Sequence, residues 1–599
     1  MLKYSIACVA AVGLATLAAP PSSAADEPSA MIYVRDSPMS EEEILRARRF
    51  AEEERYEAAA ALLHELVRER GDTLVAIEPD LYTSVAEGVR RVLAEIPELG
   101  DAYRIAFGPE AQRRLAKAMN NGVDVSQLRS VAGSYWYTRA GQEASLLLAG
   151  LELERGDADA AADRLVELAN HPDAASVADR REGLLALARL LSGRSASVEQ
   201  AVEGFTLSRS MRRDVEAFSE SLTAGDGLLL QRGALPELGA PRHLLPDSLW
   251  EVRFDVVMEM GTQAALRRRV QEQFWSQSPG GQAPRPVVAA DRIVVKVSDN
   301  LYAVDRDSGR LLWRRESGLD PLENMPDDPR VRQRMLQQVA RQVQGNDGGM
   351  TVAGNELVAI VGTSSANAMR GHAHHGNESA LLKLDASTGR VAWRRTPAQL
   401  DESLADAAFT GDPLLMGDTA YVFAARQQRS GLRELMLVAV SLSDASLRWT
   451  EHVSSLSTSR HMQGGFVPPQ MNVSGSRLYA SDGIATVACF DASLGRVLWT
   501  RILPVSQRQL EQGLARASSR ELSSRYATPI RVAGGILVNL APLPEVTVLI
   551  DADTGRLLRE LRGRAWGGDN LLLHWKSDVI SVHPDRVARL DGESFETVW

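Results

Sequence analysis

Cysteine is almost missing from this chain: only Cys8 and Cys489 occur in 599 residues. Cys8 lies in a leader-like segment, so its removal leaves one thiol and no intramolecular disulfide, even in an oxidising compartment. Long apolar runs are missing too. Beyond the first 25 residues no segment reaches the ~18 apolar residues a membrane helix needs. Basic charge is not in excess: 67 Lys and Arg face 78 Asp and Glu, giving a net charge of -11 and a pI near 5.6. Such a chain repels phosphate backbones and anionic lipid heads, which argues against nucleic-acid and membrane-surface roles. No Gly-x-Ser-x-Gly, His-Glu-x-x-His or phosphate-binding loop with its Lys occurs, so no common hydrolase or nucleotide motif is on offer. No tract is compositionally biased. With 44% hydrophobic and 24% charged residues the chain is globular in composition, and its length suits three or four domain-sized units.

The first 25 residues read as a secretory signal. Lys3 supplies the positive start, residues 6–19 are apolar, Pro20 and Pro21 end the run, and Ser22 to Ala25 offer small residues for cleavage. Cys8 precedes most of the apolar run, whereas a lipidated Cys would follow it, so a lipoprotein is not expected. The mature chain is expected to be exported, periplasmic or otherwise extracytoplasmic, without a transmembrane segment. Cys489, in Thr486-Val487-Ala488-Cys489-Phe490, reads as a buried strand thiol.

From 39 to about 207 the apolar residues recur at helical spacing, with Ser40 ahead of Glu41, Glu42 and Glu43 as the expected first cap. Two stretches resemble tetratricopeptide hairpins. In one, Leu146, Leu153, Ala162, Val166 and Ala169 fall at packing positions around a turn at Arg155-Gly156-Asp157. In the other, Tyr56, Ala59, Leu63 and Leu66 do so. Such a helical array would grip a partner protein; a plain helical bundle packed on the next domain fits equally. Tyr135-Trp136-Tyr137 reads as core more readily than as a ligand anchor.

A Gly- and Pro-rich stretch follows, then Trp250-Glu251-Val252-Arg253-Phe254 and a linker at 278–284. Beyond it, short β-branched runs take over, and one motif recurs: a strand, Asp-x-x-x-Gly, then Trp eight residues after the Asp. It stands as Asp305, Gly309, Trp313; as Asp385, Gly389, Trp393; and as Asp491, Gly495, Trp499. Looser copies are Ser441, Ala445, Trp449; Asp551, Gly555, Arg559; and Asp591, Phe595, Trp599. The Asp suits a turn in which its carboxylate accepts backbone N–H groups, the Gly a positive φ, and the Trp a plug of roughly 200 Å² against a neighbouring unit. The wide step from Trp313 to Trp393 holds an insertion whose part 329–344 reads as an extra helix.

This Asp-x-x-Ser/Thr-Gly-x-x-x-Trp arrangement resembles the PQQ-like repeat of quinoprotein dehydrogenases and of the non-enzymatic propeller of an outer-membrane assembly lipoprotein. The resemblance implies a propeller of four-stranded blades, usually seven or eight around a channel, over about 285–599. The quinoprotein enzymes it resembles hold PQQ beneath an adjacent cysteine pair beside a calcium site. Here that pair is absent, no Asp is tied to a catalytic position, and no cofactor is expected; PQQ with calcium is the alternative. A third reading takes His372, His374 and His375 as metal ligands, although their Gly-flanked setting suits a solvated loop better.

The expected organisation is therefore multidomain α plus all-β. It comprises a signal at 1–25, a helical tetratricopeptide-like domain at 39–235, a linker leading into the propeller at 236–284, and a PQQ-like β-propeller at 285–599 with about six visible repeats. The expected function is a non-catalytic scaffold for envelope proteins or peptides.

Overall fold

The computed structural model describes residues 31–598 apart from short breaks and the segments 225–285, 316–348, 363–378, 458–468, 505–530 and 563–570. The leader, Trp250, the insertion at 329–344, the three histidines, Phe595 and Trp599 lie outside the described residues.

The chain opens with a short strand, β1 (Met31–Tyr33), and helices α1 (Pro38–Glu52) and α2 (Tyr56–Arg70). The first cap is Ser37 rather than Ser40: its Oγ accepts the Ser40 N–H, and Pro38 at the first helical position has φ already set for the turn. A hairpin of β2 (Leu74–Glu78) and β3 (Leu81–Ser84) then interrupts the expected helical run. Helices α3 (Val85–Glu95), α4 (Pro97–Met119), α5 (Val125–Ser134), α6 (Arg139–Glu154), α7 (Ala158–Glu167), α8 (Ala178–Leu191), α9 (Val198–Ala201) and α10 (Arg209–Ala224) follow. Helices α6 and α7 form a hairpin turned by Gly156 at φ +81°. The tetratricopeptide frame does not hold there, because Val166 is 56% exposed and Ala169 also faces solvent. The side of α7 bearing Ala161, Ala162 and Leu165 is the one that packs in the core. Tyr135, Trp136 and Tyr137 are core: Tyr137 Oη donates to the Leu93 carbonyl, and Trp136 lies under the Arg90 guanidinium at 4.6 Å.

The strand half forms six antiparallel sheets among the described residues. Blade 1 holds β4 (Val287–Ala289), β5 (Arg292–Val297), β6 (Asn300–Asp305) and β7 (Leu311–Arg315). Blade 2 holds β8 (Met350–Ala353), β9 (Glu356–Val361), β10 (Ala380–Asp385) and β11 (Val391–Arg395). In blade 3 stand β12 (Ala408–Met416), β13 (Thr419–Gln427), β14 (Leu432–Ser441) and β15 (Leu447–Ser457). Blade 4 has β16 (Gln470–Ser474), β17 (Arg477–Ser481), β18 (Thr486–Asp491) and β19 (Val497–Ile502). Blade 5 has β20 (Arg531–Ala533), β21 (Ile536–Ala541), β22 (Val546–Asp551) and β23 (Leu557–Arg562). The sixth sheet has β24 (Leu571–Trp575), β25 (Asp578–Val582) and β26 (Val587–Leu590). First strands touch in sequence, β4 to β8 to β12 to β16 to β20 to β24, which is the radial order of a propeller.

The repeat motif joins each blade to the next. Asp491 Oδ1 accepts the N–H groups of Ser493 and Leu494 at 3.0 and 2.9 Å, closing the hairpin turn. Asp305, Asp385 and Asp551 cap their turns in the same way. Gly309, Gly389, Gly495 and Gly555 follow with φ between +68° and +77°. Each Trp then crosses to the following blade: the Nε1–H groups of Trp313, Trp393, Trp449 and Trp499 donate to the carbonyls of Ala386, Leu442, Ala492 and Ala552 at 3.0–3.1 Å. The rings of Trp313, Trp449 and Trp499 lie over Gly389, Gly495 and Gly555, where an added Cβ would stand 2.6–2.7 Å from ring carbons. The glycine thus serves twice, turning its own chain and seating the neighbour's indole. Ala445 takes the same left-handed conformation, φ +59°, with a side chain that this region penalises. Ala445→Gly should raise stability by about 1 kcal/mol in chemical denaturation.

Candidate functional site: the junction of helices and blades

The two halves of the chain are stitched together by strands. β3 pairs antiparallel with β19, Tyr82 opposite Thr500 and Leu81 opposite Arg501, so the β2–β3 hairpin extends blade 4 to six strands. The Ile502 N–H donates to the Asp80 carbonyl at 2.9 Å, and Thr83 Oγ1 to the Leu498 carbonyl at 2.8 Å. β1 pairs with β15, Met31 to Tyr33 opposite Ser457 to Ser455, and so extends blade 3. Between these additions the chain bridges Asp36 to Leu74.

Charged side chains of α3 and α7 meet the turns of blades 4 and 5 around a cleft of about 170 Å³. Arg164 forks onto Glu152, with Nη2 2.6 Å from Oε1 and Nε 3.0 Å from Oε2, and also reaches Ser493 Oγ. Both partners are buried. Arg496 of blade 4 donates to Glu167 at 2.9 Å and to Glu87 at 3.2 Å, while Arg90 donates to the same Glu167 oxygen at 2.6 Å. Asp163 Oδ2 accepts the Ser476 N–H at 2.6 Å. Gly417 and Gly475 lie against the carboxylates of Asp157 and Asp163, which a Cβ at either position would have to displace.

These contacts set the electrostatics. Burial pushes the Glu167 carboxyl up, but Arg496 and Arg90 outweigh it and hold it down at about 2. Burial and the neighbouring Arg496 bring Arg90 down to about 10. A carboxylate held this low does not serve as a proton donor near neutrality. Arg496 and Arg90 share the Glu167 carboxylate and Arg164 forks onto Glu152 while reaching Ser493, so these ion pairs clamp α3 and α7 onto blade 4.

A second acid stands on β15, short of the stretch Ser455 to Ser457 where β1 adds. Glu451 is partly buried and its backbone lies in the β14–β15 ladder, while its carboxyl makes no hydrogen bond or ion pair among the described residues. Burial pushes its carboxyl up to about 8, Asp72 adding to the effect and Arg35 opposing it. Burial likewise lowers His452 to about 4, while its Nε2 meets Ser455 Oγ at 2.8 Å. A raised carboxyl favours folding below the unfolded value of about 4.5, and that contribution fades as pH rises through 8. Glu451→Gln should therefore gain thermal stability relative to wild type between pH 5 and 9; parallel melting profiles for the two proteins would contradict this.

The sequence-derived candidates fall elsewhere. Asp305, Asp385, Asp491 and Asp551 are hairpin caps, one to a blade, and Asp591 begins a similar turn in which its N–H donates to the Glu596 carbonyl. Cys489 sits in β18 against Tyr479 and Trp499, and burial pushes its thiol far up. Among the described residues no group of three His, Cys, Asp or Glu side chains converges as metal ligands. Sequence reasoning missed the junction: Glu87, Arg90, Glu152, Arg164, Glu167 and Arg496 carry no motif. The one available signal was the strand-like Leu74-Val75-Ala76-Ile77-Glu78 before Pro79-Asp80.

Radially ordered blades, capped Asp-x-x-x-Gly turns and Trp plugs define a PQQ-like repeat β-propeller, here with a helical domain stitched to two blades. Residues 259–510 match the family model described as outer membrane protein assembly factor BamB. No curated protein matches the chain. Solved structures that resemble it include a europium-containing methanol dehydrogenase (12% identity, TM-score 0.30, 47% of this chain and 51% of that one). Another is the quinohemoprotein alcohol dehydrogenase of Comamonas testosteroni (11%, 0.29, 46% and 42%). A third is Sqt1 of Saccharomyces cerevisiae (14%, 0.30, 50% and 68%). The chain spans about half the length of the two dehydrogenases, and likenesses this low say nothing of activity.

Proposed function

We propose that the protein is a non-catalytic extracytoplasmic scaffold that holds envelope proteins or peptides on a joint surface of helices and blades. The observation that carries this reading is the junction itself. Strands β1 and β3 and the arginine clamp fix the helical half on blades 3 and 4, so surfaces on both halves keep a set relation. A rigid ring presenting many loops is a natural docking platform. The family match at 259–510 agrees with an envelope role, and no helix among the described residues is long and apolar enough to cross a membrane.

The test is crosslinked affinity capture from the envelope of the source cell with the intact mature chain. Separate helical and propeller fragments are unsuitable, because cutting between them bares the edge of β19. A specific protein retained by the intact chain supports the scaffold. Retention of nothing, together with dye-linked alcohol oxidation once PQQ and calcium are supplied, would replace it with a quinoprotein dehydrogenase.

A further inference from the structure

Four guanidiniums gather where α5, the α6–α7 turn and blade 3 meet. Helices α5 and α6, joined by residues 135–138, pack antiparallel, and Val125 and Leu128 of α5 share a core with Leu147, Leu148 and Leu151 of α6. Arg129 therefore stands beside the last turns of α6, which end on Arg155 as the C-terminal cap. The turn that follows rests on blade 3, where the Asp157 carboxylate lies against Gly417. Next to Gly417 come Asp418 and Thr419, the partners of Arg448 at 2.6 and 2.7 Å. Arg448, Arg155 and Arg164 all act electrostatically on Arg129.

Two of the four have acids of their own. Arg164 forks onto Glu152, and Arg448 holds Asp418. Asp124, at the start of α5, spends its Oδ1 on the N–H groups of Ser126 and Gln127. Residues 120–123 just before it are Asn, Asn, Gly and Val, so they bring no charge. The side chains of Arg129 and Arg155 make no hydrogen bond or ion pair among the described residues. Arg129 is partly buried and Arg155 is exposed, so both keep solvent access. Burial, then the like charges of Arg448 and Arg155, bring the Arg129 guanidinium below its ordinary value, and Glu152 is the one neighbour raising it. A half-buried guanidinium flanked by its own kind gains from an anion that accepts its planar fork.

We propose that Arg129 and Arg155 form an oxyanion-binding site, in which both guanidiniums donate to one carboxylate or phosphate group. The anion has two sources, an acidic side chain of a docked partner and free inorganic phosphate. The partner source rests on the scaffold reading and places one anchor of the partner at the seam of helices and blade 3.

The test is phenylglyoxal modification of the intact chain, read residue by residue by mass spectrometry. The reagent adds to guanidines, and a bound oxyanion shields the ones it contacts. Inorganic phosphate and an acetylated tetraglutamate amide serve as the probes, with chloride setting equal ionic strength throughout. Arg129 and Arg155 should lose reactivity together, ~10-fold at a probe concentration ~10 times its Kd, as occupancy dictates. Arg113, exposed on α4, should react unchanged. Arg155→Met should remove most of the protection at Arg129, and the wild-type arm decides the matter even where that variant misfolds. Protection by the peptide at concentrations well below those phosphate needs identifies a partner's carboxylate. Protection by phosphate alone identifies a free anion and detaches the site from the scaffold reading. Equal protection at Arg113, protection of one arginine without the other, or none from either probe overturns the site. The scaffold reading stands or falls separately, on crosslinked capture.

Discussion

Trp499→Ala should destabilise the protein by about 4 kcal/mol, among the largest losses from any single substitution in the propeller. Trp499 is 1% exposed, its indole N–H donates to the Ala552 carbonyl at 3.1 Å, and its ring covers Gly555 of the next blade. Truncation removes that donor and opens a void between blades 4 and 5 that the rigid hairpin turn cannot fill. Trp499→Phe should cost less, about 1–2 kcal/mol, because the ring persists and the Ala552 carbonyl keeps its second donor, Tyr479 Oη at 3.2 Å. Chemical denaturation followed by tryptophan fluorescence and circular dichroism reads both. Equal losses for the two variants would place the stability in the hydrogen bond rather than in the plug.

The second large effect lies at the junction. Arg164→Met should cost about 3–5 kcal/mol, because it leaves the buried Glu152 carboxylate without its fork and α7 without its contact to Ser493. Adding Glu152→Leu should recover most of that loss, since an apolar pair of similar volume replaces a buried ion pair at little net cost. Failure of the double variant to recover would show that the contact to blade 4, rather than the buried charge, governs the loss.

The fold was legible where chemistry repeats. Asp491, Gly495 and Trp499 advertise a turn cap, a positive φ and a plug because each residue type has one strong physical preference, and the register recurs blade after blade. The glycine's second duty, making room for the preceding blade's indole, was not legible, since it depends on a residue some 45 to 75 positions earlier. Tyr421 and Tyr479 share carbonyl acceptors with Trp449 and Trp499, and nothing in local sequence pairs them. The helical half was legible as helix and misleading in its repeat frame: the spacing around Val166 fits a hairpin position, yet that side chain faces solvent. The junction was almost invisible. Arginine and glutamate are what any exposed helix carries, and only the docking of α3 and α7 on blade 4 turns Arg90, Arg164 and Glu167 into a clamp. The β2–β3 hairpin could have been heard in Pro79-Asp80, but its strand partner is more than 400 residues away.

The central claim is that the helical half and the propeller form one body through β3 and β19. Amide hydrogen exchange at Ile502 of the intact chain tests it most directly, because that N–H bonds to the Asp80 carbonyl of the hairpin turn. Protection at Ile502 comparable to that of Cys489 within the blade is the predicted result, falling in step with protection at Leu81 and Tyr82 when Arg496 is replaced by Met. Exchange at Ile502, Leu81 and Tyr82 as fast as in a free chain, with Cys489 still protected, would contradict it and leave two domains merely side by side.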